Sequence, residues 1–128
     1  MFEILVMQEK VMQCILLLSI LSNKEISVKE AISLLELITK SPEIIKESLK
    51  IAEKKGLIKR EKGKLILKFE KERENFPKPK ITRQKCSNNC KRCGRRITNC
   101  FFLEFHGFSL GPFGSECVRK LKIQYNNI

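Results

Sequence analysis

The 128-residue chain has no aspartate and no tryptophan, one histidine (His106) and one tyrosine. Every acid is a glutamate, and no serine or cysteine sits beside an evident base, so catalysis is not expected. His106, next to Gly107, reads as a turn residue rather than a ligand or general base. Long apolar runs are missing too. In "MFEILVMQEKVMQCILLLSILSNKE" the charges Glu3, Glu9 and Lys10 interrupt the hydrophobic residues, and no small-residue cleavage site follows. Neither a membrane span nor a secretory signal is expected. The expected location is therefore cytoplasmic and reducing, where clustered cysteines are more often metal ligands than disulfides.

Negative charge is also scarce. Lys and Arg number 26 against 14 acids, a net charge of +12 with a pI near 9.6. That balance favours polyanions or acidic protein surfaces as partners. Apolar residues make up 42% and charged residues 31%, which is a globular composition. A mass of 14.9 kDa allows one modest domain or two very small ones, and a very small one would lean on a metal or on disulfides. The charge is uneven: residues 1–75 carry 15 bases and 12 acids, net +3, whereas residues 76–128 carry 11 and 2, net +9. The change falls near "RENFPKPKITRQ", whose two prolines discourage regular structure. Residues 73–84 are accordingly expected to be a linker between residues 1–72 and residues 85–128.

In the first part, Val11, Ile15, Leu18 and Leu21 recur at helical spacing, and Met12, Leu16 and Leu17 widen the stripe. Cys14 lies inside it and is expected to be a small core residue. Ser27 and Glu30 have capping-box spacing ahead of Ala31, Leu34, Leu35 and Ile38. Ser41 then reads as an N-cap with Pro42 at the first helical position, followed by Ile44, Ile45, Leu49 and Ala52, and Gly56 closes that helix. "LIKREKGKLILKF" predicts two strands, 57–60 and 64–69, turning at Gly63. Three helices followed by a β-hairpin predict a winged helix-turn-helix. The whole chain is thus expected to be α+β, a winged helix followed by a small four-cysteine metal domain.

The third helix would be the recognition helix in such a domain. It offers Glu43, Lys46, Glu47, Lys50, Glu53, Lys54 and Lys55, none of the Arg, Asn or Gln that read base edges bidentately. Sequence-specific readout is not expected. Lys59, Arg60, Lys62 and Lys64 on the hairpin are candidates for the phosphate backbone, which needs only positive charge.

From Cys90 the spacing is C-x2-C-x6-C-x16-C, through Cys93 and Cys100 to Cys117. Two residues between thiolates let both sulfurs face one metal while backbone amides donate to them. Four thiolates hold either tetrahedral zinc or a [4Fe–4S] cube. The phenylalanines from Phe101 to Phe113 would shield either one. Cys86 is a fifth thiol and an alternative to Cys100; Cys100 is preferred because it lies in an apolar segment, whereas "CSNNC" reads as a polar turn. Among Lys91, Arg92, Arg95 and Arg96, some cations offset the site's charge, and Arg95 and Arg96 are candidates for nucleic acid.

A winged helix followed by C-x2-C, a lone cysteine and "SLGPFGSECVRKL" resembles the beta subunit of archaeal transcription factor TFE, related to the winged-helix and iron–sulfur subunit of RNA polymerase III. The resemblance covers the architecture of the whole chain, with its specific motif in residues 90–121. It implies a [4Fe–4S] cluster on Cys90, Cys93, Cys100 and Cys117, and a heterodimer with TFE alpha on the RNA polymerase clamp. The implied function is assistance in opening promoter DNA through its backbone, without sequence specificity. "CKRCGRRI" and "GPFGSEC" also resemble small zinc modules, which would make the chain a zinc-containing winged-helix DNA-binding regulator. A redox sensor whose cluster governs binding is a third expectation.

Overall fold

The computed structural model of the protein describes residues 2–72 and 75–123. It divides into two compact units: residues 1–19 with 23–76, and residues 20–22 with 77–128. The elements of the first are α1 (Phe2–Ser19), β1 (Glu25–Ser27), α2 (Val28–Leu35), α3 (Pro42–Lys54), β2 (Ile58–Glu61) and β3 (Lys64–Leu67), with a 3-10 turn at Glu70–Glu72. Those of the second are β4 (Lys80–Asn89), β5 (Arg96–Phe105), β6 (Phe108–Phe113) and α4 (Ser115–Lys120). The fold is α+β with two small antiparallel sheets, ordered β1-β3-β2 and β4-β5-β6.

The first unit forms where its sequence carries caps and stripes. Ser27 and Ser41 accept from the backbone N–H of Glu30 and Ile44, and Pro42 opens α3 without needing a donor. Gly56, at φ +75, ends α3 in a Schellman arrangement: its own N–H reaches the Glu53 carbonyl, and the Leu57 N–H reaches that of Ala52. Lys62 and Gly63 both take positive φ in the two-residue turn that joins β2 to β3. Cys14, Leu17, Leu18, Leu35 and Leu65 are fully buried, each leucine contributing about 1.5–3 kcal/mol of apolar transfer.

Four expectations need correction. α1 stops at Ser19, whose hydroxyl donates to the Leu16 carbonyl, so Leu21 is not on its stripe but bridges to Ile123 in the second unit. Met12, on that stripe, is 52% exposed. β1 is an additional strand: three residues are too short to show a period, yet Ile26 is buried and pairs with Leu65. Finally, the stretch 73–84 is not all linker, because β4 starts at Lys80. β-branched Ile81 and Thr82, placed after the second proline, pair with Leu103 and Phe102 of β5.

Candidate metal centre

The centre assembles from two segments of the second unit. The first is the turn between β4 and β5. There the Cys90 N–H donates to the Arg95 carbonyl and the Gly94 N–H to the Cys90 carbonyl, both at 2.8 Å. Gly94 takes φ +77, a conformation that a side chain at this position would strain. The Lys91 N–H donates to the Pro112 carbonyl at 2.7 Å, which ties the turn to β6. The second segment is the first turn of α4, which carries Cys117.

Together they place the sulfurs of Cys90, Cys93 and Cys117 within 4.8 Å of one another, with Cys90 and Cys117 buried and Cys93 exposed. Burial opposes ionisation of Cys90, but N–H groups of Cys93, Gly114 and Arg92 aimed at its sulfur outweigh it and hold the thiol down at about 7. Burial pushes the Cys117 thiol up, with the neighbouring thiols adding to it, although the Arg92 guanidinium stands 3.7 Å from that sulfur and works the other way. Donors aimed at sulfur favour the thiolate form that a metal site uses. Two thiolates on one tetrahedral zinc, at about 2.3 Å each, stand roughly 3.8 Å apart, so the spread of these sulfurs fits a single ion.

Cys100 is elsewhere. Its sulfur is bonded to that of Cys86, with the two Cα atoms 5.9 Å apart. The expected ligand set of Cys90, Cys93, Cys100 and Cys117 is therefore brought together in three of its members, and Cys86 is not a substitute fourth. The reason is that "CSNN" is strand, not polar turn. β4 runs on to Asn89 through a register shift between Lys85 and Asn88, and this lays Cys86 against β5. Four residues of strand, at most roughly 13 Å, then separate Cys86 from Cys90. His106 sits in the β5–β6 turn, as expected.

The candidate nucleic-acid residues divide in the same way. On the hairpin, Lys59 pairs with Glu61 at 3.0 Å, Arg60 with Glu53 at 3.3 Å and Lys64 with Glu25 at 3.4 Å, which leaves Lys62 at the turn. Near the centre, Arg95 and Arg96 are exposed; Arg96 donates to the Ser87 hydroxyl at 2.6 Å, and neither meets a carboxylate among the described residues.

A family profile matches residues 10–125, which takes in both units and all three clustered cysteines. The chain belongs to DUF5830, a family of unknown function. No curated protein and no solved structure matches it. Among the described residues, no helix is long and apolar enough to cross a membrane.

Proposed function

We propose that this chain is a metal-bearing nucleic-acid-binding protein of the transcription apparatus, in which one zinc ion organises the second unit and the first unit is a winged helix. The observation that carries the reading is the grouping of Cys90, Cys93 and Cys117 within 4.8 Å in a chain of net charge +12. Sulfurs that share one ion lie closer together than sulfurs that each bind a different iron of a cube, and the fourth thiol a cube would need, Cys100, is held by Cys86. We therefore favour the zinc-containing regulator over the initiation-factor subunit with a [4Fe–4S] cluster.

The winged-helix reading is supported by the element order α1-β1-α2-α3-β2-β3 and by the way β1 completes a sheet with the β2–β3 hairpin. The exposed face of α3, with Glu43, Lys46, Glu47 and Lys50, mixes both charges and lacks base-reading side chains, which suits docking or backbone contact rather than sequence readout. Elemental analysis and an absorption spectrum of anoxically purified protein test the proposal. One zinc per chain and no visible colour are expected. A brown protein with four irons per chain would restore the initiation-factor reading, and RNA polymerase with TFE alpha would then be the partners to assay.

A further inference from the structure

The three sulfurs, which could hold a metal, bring together two segments that carry cations and lie far apart in sequence. Arg95 and Arg96 follow the turn that carries Cys90 and Cys93; Arg119 and Lys120 follow Cys117 in α4. All four are exposed, and none meets a carboxylate among the described residues. The two glutamates of this unit are Glu104, which accepts from the Thr82 hydroxyl at 3.1 Å, and Glu116, which meets no lysine or arginine among the described residues. On the hairpin of the first unit, by contrast, three of the four cations already face glutamates. A cation that has a carboxylate partner must give it up or share it to bind phosphate, so the unpaired set is the better counterion.

We infer that the phosphate-binding surface of this protein is built by the metal centre, with Arg95 and Arg96 from one ligand segment and Arg119 and Lys120 from the other, and that the hairpin of the first unit contributes little. The ligand class is the sugar–phosphate backbone of nucleic acid. The inference rests on the nucleic-acid reading above and names the surface that serves it. Arg119 and Lys120 are separated from Arg95 by more than twenty residues, and the closure of the three sulfurs is what marks them as part of one surface. Arg92 is left out because its guanidinium leans on the Cys117 sulfur.

The test uses the full metal-loaded chain and a fluorescent DNA duplex of generic sequence, with the affinity measured by anisotropy across a salt series. Each phosphate contact contributes about 0.9 to the slope of log affinity against log salt. Replacing Arg95, Arg96, Arg119 and Lys120 together by glutamine should lower that slope by about 3.6, which removes roughly 10²-fold of the affinity change between 50 and 200 mM salt. The pair R119Q/K120Q lies away from the turn and should lower it by about 1.8. Metal content unchanged from the parent shows that the second unit of each variant is folded, and the pair decides the matter if the quadruple variant loses metal. Replacing Lys59, Arg60, Lys62 and Lys64 by alanine should leave the slope nearly intact.

If the parent protein fails to bind the duplex even at 50 mM salt, the nucleic-acid reading itself falls. If the hairpin variant loses the slope while R119Q/K120Q keeps it, the reading stands and this surface is wrong. Displacement of the duplex by polyglutamate as readily as by unlabelled DNA would assign the surface to acidic proteins and overturn the inference.

Discussion

The two units solve the same problem, closing a small core, with different materials. The first buries aliphatic side chains drawn from three helices and a sheet, among them Leu17, Leu18, Leu35, Leu49 and Leu65. The second buries Leu103, Leu110, Phe113 and Leu121, and three of its other buried side chains are cysteines: Cys90, Cys100 and Cys117. Where apolar area is short, a disulfide and a group of cysteines able to hold a metal stand in its place. Charge follows the same division. The first unit sets glutamates against its lysines and arginines, whereas Arg95, Arg96, Arg119 and Lys120 of the second meet no carboxylate among the described residues.

The largest expected effect separates the units outright. Stripping metal from the full chain with a chelator under reducing conditions should make residues 77–123 protease-sensitive while leaving residues 24–69 resistant. Structural zinc contributes an apparent 10–16 kcal/mol, more than so small a core can replace. Peptide mapping of a limited digest reads the outcome, and equal protection of both regions would erase the contrast. The converse perturbation is Leu35→Ala, which empties a fully buried position of the first unit. A loss of about 2–5 kcal/mol is expected in urea unfolding, with the metal stoichiometry unchanged.

A smaller effect probes how tightly the second unit is knit. Gly111 takes φ +146, and a Cβ there would lie 2.8 Å from the Phe101 carbonyl oxygen and 2.9 Å from the Phe102 ring. The carbonyl belongs to the neighbouring strand and yields little. Gly111→Ala should cost the second unit about 1–3 kcal/mol and weaken metal retention, because the adjoining Pro112 carbonyl anchors the turn that carries Cys90. Competition with a chromophoric chelator measures it. Gly107→Ala, where a Cβ meets nothing within 4 Å, is the control for backbone strain without a clash.

The first unit was largely legible because its signals are local. A cap, a proline and a stripe act within one helix, so Ser27, Ser41, Pro42, Gly56 and Gly63 mark their own boundaries. β1 escaped notice because three residues display no period. The second unit was less legible because its decisive relations are long-range. Cys86 and Cys100 meet only through the pairing of β4 with β5, and a bulge in β4 sets which face each residue takes. The C-x2-C spacing was readable because that half of the site is a single turn. The membership of Cys100 was not, because its partner depends on strand register. The hairpin cations could be counted in the sequence, but their glutamate partners come from α3, β1 and β2 and become visible only once the sheet is assembled.

The smallest effect sharpens the contrast from the first unit's side. The Ser41 hydroxyl accepts from the Ile44 N–H at 3.3 Å and caps α3, the helix that carries buried Ile45, Leu49 and Ala52. Removing it leaves that N–H without its side-chain acceptor, at a cost of about 1 kcal/mol, which for a domain of this size lowers the melting temperature by roughly 4–8 °C. Ser41→Ala should show this loss in a thermal melt, and Ser41→Asp should regain it, since aspartate supplies the same acceptor and places negative charge at the positive end of the helix dipole. Metal affinity should stay constant in both variants. If Ser41→Ala weakened metal binding by as much as it lowers the melting temperature, the two units would be folding as one, and the division between an aliphatic core and a metal-closed one would lose its thermodynamic meaning.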